Sequence, residues 1–182
     1  PMTWATVPYV TGPNSIAMSA TTATDESGVE YYFECVSGPA GCIASGWQSG
    51  NSFTASGLQP GASYSWRVRA RDAYLNETQP STAAAATTLE NQPPIAADDI
   101  ATTQQDTAVL ISVLANDSDP EDDALTVVAF SQGANGGVSG NDNSVTYIPA
   151  AGFTGVDNFS YTINDSLGAA ATANVSVTVT AV

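Results

Sequence analysis

The side chains best suited to chemistry lie in one short stretch, ANDSDPEDD, Ala115 to Asp123. Asp117, Asp119, Glu121, Asp122 and Asp123 fall within seven residues, beside the amide of Asn116. No Lys, Arg or His occurs between Gln92 and Val182. Carboxylates this close repel one another, and no basic side chain in that half of the chain offsets them. A hard cation with oxygen ligands relieves the repulsion, and Ca²⁺ is the best match. Asp117 and Asp119 have the alternate spacing that lets two carboxylates converge on one ion. Pro120 bends the loop and brings Asp122 or Asp123 round. Asp165 enters from a neighbouring loop, and Asp98 or Asp99 from the linker side. The alternative is a solvated acidic loop.

Other constellations are weaker. Asp25 precedes one strand, and Asp72 and Asn76 follow another. If both loops fall at one end of a sandwich, they form a second cation site; the competing reading is solvated turn residues. Trp4, Tyr9, Tyr32, Trp47 and Tyr74 are aromatics free of the core alternation, with Trp47, Tyr32 and Trp4 the best candidates for a carbohydrate platform. Cys35 and Cys42 are the only cysteines, and an even count suggests one disulfide and an oxidising compartment.

Enzymatic readings do badly. The chain has no histidine, so a Ser–His–Asp triad is impossible and the commonest zinc ligand is missing. Glycoside hydrolysis needs one carboxylic acid held neutral in a cleft, whereas these acids cluster in turns beside glycines. An EF-hand is excluded because its alternating Asp run with Gly and its terminal Glu are absent.

The 182 residues suffice for two small domains. Net charge is −15, divided unevenly: residues 1–90 carry −4 and residues 91–182 carry −11. Nucleic acid and anionic membranes are therefore poor partners. No apolar run reaches the roughly 18 residues of a membrane span. No leader peptide opens the chain, which reads as a piece of a longer exported protein.

The elements that position these residues are strands throughout. In Ser15–Thr24, Ile16, Met18 and Ala20 alternate with polar residues. In VEYYFEC, Val29, Tyr31, Phe33 and Cys35 share one face, and Glu30, Tyr32 and Glu34 the other. Short strands follow near Trp47 and at 52–55. Tyr64, Trp66, Val68 and Ala70 then face inward, and Arg67, Arg69 and Arg71 outward. Cross-strand pairing with Glu30 and Glu34 makes those arginines a stabilising ladder. STAAAATTLE is the last strand of this half. NQPP, Asn91 to Pro94, breaks any ladder and marks a short, stiff linker between domains at 1–90 and 95–182. In the second half, TAVLISVL, ALTVVAF, SVTYIP, NFSYTIND and TANVSVTVT read as strands, with a Gly/Asn-rich hairpin region after Phe130. Phe159, Tyr161, Ile163, Val175, Val177 and Val179 face inward.

GLQPGASYSWRVRARD resembles the E-to-F region of a fibronectin type III domain, with Leu58 as its buried leucine and Tyr64 as its tyrosine-corner residue. The second strand lacks the usual Trp; Met18 or Ala20 stands there, and Trp66 takes that volume. From Asn91 to Val182 the chain resembles the cadherin-like, bacterial Ig-like repeat of secreted enzymes and adhesins. That likeness implies a Greek-key sandwich whose acidic loops can bind calcium. It makes ANDSDPEDD the loop after the second strand, Ile163–Asp165 the loop before the last, and Asp98 and Asp99 the pair after the linker.

The expectation is an all-β protein of two tandem sandwiches, monomeric and extracellular. Its leading function is non-catalytic: a calcium-stiffened spacer presenting a neighbouring catalytic or adhesive domain of the same chain. The alternatives are a calcium-dependent polysaccharide-binding module of a secreted polysaccharide-degrading enzyme, or a cell-surface adhesion repeat.

Overall fold

A computed structural model describes residues 1–182. It divides the chain into two compact units, Pro1–Asn91 and Gln92–Val182. The division falls at the start of the NQPP segment.

The first unit has seven strands: β1 (Trp4–Gly12), β2 (Ser15–Ala20), β3 (Val29–Ser37), β4 (Trp47–Gln48), β5 (Ser52–Ser56), β6 (Ser63–Asp72) and β7 (Ala84–Thr87). They form two sheets, ordered β1-β2-β5 and β4-β3-β6-β7. Period-2 alternation puts Ile16, Met18, Tyr31, Phe33, Tyr64, Trp66 and Val68 into one core. Trp66 is fully buried, in the same core as Met18 and Ala20 of β2. The Tyr64 hydroxyl accepts the Gln59 amide at 2.7 Å, and Leu58 is buried, as the tyrosine-corner reading expects. Cys35 and Cys42 form a disulfide, with Cα atoms 5.8 Å apart.

The outer face of β3 and β6 carries the charge ladder. Arg67 binds Glu34 through two nitrogens at 2.7 and 3.0 Å, and Arg71 binds Glu30 at 2.7 Å. Arg69 takes Glu77 at 2.8 Å, a partner from the loop after β6. The hydrogen bond from Arg67 holds the Glu34 carboxyl below its ordinary range.

The second unit has seven further strands: β8 (Asp99–Gln104), β9 (Val109–Ile111), β10 (Thr126–Phe130), β11 (Gly136–Asn141), β12 (Ser144–Pro149), β13 (Gly155–Asn164) and β14 (Ala170–Thr180). Their sheets are β10-β13-β14-β8 and β11-β12-β9. The core holds Val113, Tyr147, Phe159, Tyr161, Ile163 and the three valines of β14. TAVLISVL is not one strand. It pairs only over Val109–Ile111, then winds into a 3₁₀ turn, Val113–Ala115, that buries Val113. This turn delivers the chain to the acidic loop.

Candidate functional site

The acidic loop closes one pole of the second unit. A two-bond bridge between Ile95 and Ser118, at 2.7 and 3.1 Å, ties it to the segment before β8. The Asn116 amide donates to the carbonyls of Ala97 and Asp98, pulling the same segments together. These bonds hold the loop against the backbone of Ile95, Ala97 and Asp98.

The carboxylates fall into two groups. In the first, Asp117 accepts the Ala97 amide at 2.7 Å and the Tyr161 hydroxyl at 3.1 Å. Asp98 is exposed and accepts the Asn174 amide at 2.7 Å. Asp99, half-buried at the head of β8, leaves Oδ2 buried without a hydrogen-bond partner. Burial pushes its carboxyl above the ordinary range, and the Asp117 and Asp98 charges add to that, against hydrogen bonds from Tyr161 and Asn116. Burial and the carboxylates of Asp117 and Asp99 push the Tyr161 hydroxyl far up, so it stays a donor.

The second group is built on Asp119, which is 8% exposed. Its Oδ1 accepts the amides of Glu121 and Asp123 at 2.9 and 3.1 Å, which shapes the turn after Pro120. Its Oδ2 is buried and has no partner. Asp123 accepts the Ser166 hydroxyl at 2.6 Å through Oδ1, and its Oδ2 is likewise buried and unpartnered. Buried Asp165 caps its own loop, accepting the amides of Leu167 and Ala169 at 2.9 Å each. Asp122 is exposed and occupies the left-handed region at φ 59°, so it serves the turn. No three acidic side chains are arranged to cage a metal ion by themselves.

Three carboxylate oxygens, on Asp99, Asp119 and Asp123, are buried without a donor in a unit that has no basic side chain. Leaving a buried acceptor unpaired costs about 1–3 kcal/mol, and more when it is charged. Calcium takes six to eight oxygens and accepts carbonyls and amides beside carboxylates. Ser166 and the Tyr161 hydroxyl escaped the sequence reading of this pole. Tyr161 reads as core from its alternation, and Ser166 adjoins Asp165 in a loop without periodicity.

At one end of the first unit, Asp25, Asp72 and Asn76 line one concavity of about 150 Å³. Their groups are engaged in turns. Asp72 accepts the Asn76 side-chain amide at 2.7 Å and the amides of Asn76 and Tyr74, which hold its carboxyl below the ordinary range. Asp25 accepts the amide and hydroxyl of Ser27. Arg71 lines the same concavity and supplies positive charge there.

The three aromatics proposed as a platform are not one surface. Trp4 packs on core residue Phe33, with centroids 6.2 Å apart, and donates to the Thr82 carbonyl. Tyr32 and Trp47 pair at 5.2 Å on the outer face of β3 and β4. Arg71 lies 4.2 Å from the Trp47 ring, and Arg69 lies 5.0 Å from Tyr32. Such cation–π contacts occupy ring faces that a sugar would need.

Both units are all-β, each built from two sheets. Residues 91–178 match the family model of the bacterial Ig domain. No curated protein resembles the chain closely enough to count as a relative. Among solved structures, the chain is similar to the fibronectin(III)-like modules of Clostridium thermocellum CbhA, at 18% identity and TM-score 0.37, over 100% of this chain and 95% of that one. It is also similar to the fibronectin type III domain of a human fibronectin type III domain-containing protein, at 20% identity and TM-score 0.38, over 47% of this chain and 84% of that one. A third similar structure is a nucleoside hydrolase-related protein of Saccharophagus degradans associated with carbohydrate metabolism, at 16% identity and TM-score 0.40. That match covers 50% of this chain and 26% of the other, so the chain spans about a quarter of that protein's length.

Proposed function

We propose that the chain is a non-catalytic accessory segment of a secreted or cell-surface protein, in which Ca²⁺ stiffens the second unit as a spacer for a neighbouring catalytic or adhesive domain. The observation that carries this reading is the set of buried, unpartnered carboxylate oxygens on Asp99, Asp119 and Asp123. Asp119 and Asp123 are the main ligands, and loop carbonyls and water complete the shell. The ion supplies the positive charge that the unit's own sequence lacks. The Cys35–Cys42 disulfide supports an oxidising, extracellular setting. The absence of histidine from the chain, and of any free cysteine, supports a non-catalytic role.

An ion that binds only the folded form raises stability by mass action. At a hundredfold excess over Kd the gain is about 2.7 kcal/mol, on the order of 10 °C in melting temperature for a unit of this size. Calorimetry with Ca²⁺ against EDTA should show that rise, and Asp119→Ala should abolish it. A rise undiminished in Asp119→Ala would remove this loop from the site. No rise in the unaltered chain would end the calcium reading.

A further inference from the structure

The outer face of sheet β1-β2-β5 carries an uncharged concavity. Two rungs of that sheet lie side by side. In one, Thr6 pairs with Ser19 and Ser19 with Ser52; in the next, Tyr9 pairs with Ala17 and Ala17 with Thr54. The first rung presents three hydroxyls. The second presents an aromatic ring and a hydroxyl with only a methyl group between them.

A break in strand register creates this arrangement. Between Thr6 and Tyr9, β1 advances three residues while β2 advances two. Strict alternation would put residue 8 on the same face as Thr6. The irregularity turns Pro8 inward, where it is buried, and turns Tyr9 outward, 50% exposed. Bulges re-aim side chains in this way, and proline in a sheet is confined largely to edges and such irregularities. Because Ala17 is small, the face dips between Tyr9 and Thr54 into a concavity of about 200 Å³. No charged side chain lines it, although the chain as a whole carries −15.

We propose that this groove binds one unit of a neutral polysaccharide, stacked on Tyr9 and hydrogen-bonded by Thr6, Ser52 and Thr54. A sugar ring has an apolar C–H face, which suits an aromatic plate with a polar tip. Its hydroxyls both donate and accept, as do those of Ser and Thr. The chain's negative charge repels acidic polysaccharides and leaves neutral ones unaffected. The concavity is smaller than the roughly 300–1,000 Å³ of pockets that enclose a whole ligand, so it grips part of a longer chain. The site lies within the first unit and requires no ion, so it goes beyond the calcium reading and stands apart from it.

Native gel electrophoresis of the full chain through hydroxyethylcellulose, mixed-linkage β-glucan or galactomannan tests the proposal, with polygalacturonate as the acidic comparison. At least one neutral polymer should retard the protein, equally in Ca²⁺ and EDTA. Tyr9→Ala should weaken retardation about tenfold, the equivalent of one lost stacking contact, while Tyr9→Phe retains it. Should Tyr9→Ala fail to fold, Ala17→Leu fills the dip from the neighbouring strand and should have the same effect. Retardation by none of the neutral polymers, or undiminished retardation of a folded Tyr9→Ala or Ala17→Leu variant, overturns the proposal. A missing calcium-dependent thermal shift would leave this retardation in place, so the two readings fail separately.

Discussion

Asp157 is the acid that the second unit buries most deeply, at 3% exposure. Its oxygens accept the Tyr147 hydroxyl at 2.8 Å and the amides of Ala134, Asn135 and Asn158 at 2.8–3.0 Å. Burial alone pushes the carboxyl up, but these four donors outweigh it and hold Asp157 below its ordinary value of 3.8. A depressed carboxyl stabilises the fold at pH above its unfolded value, and that contribution fades as pH falls through the folded value. Asp157→Ala should therefore destabilise the second unit by about 3 kcal/mol at neutral pH, since it orphans several buried donors, and by less in acid. Urea unfolding at both pH values checks this; equal losses would show that the charge is not the source. Asp157 continues the inward face of Phe159, Tyr161 and Ile163, but the sequence reading began that strand at Asn158 and did not name it. The role of Asp157 was not legible either, because two donors come from a loop more than twenty residues earlier. The same limit hid Ser166 from the reading of the acidic pole, whereas the crowding of Asp117, Asp119 and Asp123 was plain in the linear order. Glu30 and Glu34 found Arg71 and Arg67 as expected, because antiparallel neighbours share a face period.

Among the elements, strands with clean alternation sit where the pattern puts them. Those without it were missed or misdrawn. DIATTQ was not read as a strand, because its one large apolar residue, Ile100, points outward at 89% exposure. Pairing with β14 makes it β8, and no local signal announces a distant partner. TAVLISVL was drawn too long because a continuous apolar run fits a buried strand and a tight turn alike. The Gly/Asn-rich region proves to contain β11, whose glycines answer to packing. A Cβ at Gly136 would overlap the Tyr147 ring on the paired strand. Gly136→Ala should cost about 1–3 kcal/mol, typical of overpacking, and should loosen the β11–β12 hairpin. Faster amide exchange there, with the first unit unaffected, is the expected result; unchanged exchange would mean that the ring moves aside freely.

For the molecule as a whole, the two units answer to different chemistry. The disulfide belongs to the first and the unpartnered carboxylates to the second. Calorimetry should resolve two transitions. A reducing agent should lower only one, by about 2–3 kcal/mol for a crosslink closing so short a loop, and EDTA should lower only the other. A single transition shifted by both agents would show that the units unfold together. Another consequence follows from strand direction in the second unit. β8 and β14 lie side by side and run parallel, paired from Asp99↔Val175 to Gln104↔Thr180. Tension applied where β8 begins and where β14 ends slides one strand along the other. All the rungs between them then resist at once, as in a lap joint, instead of parting singly like the teeth of a zip.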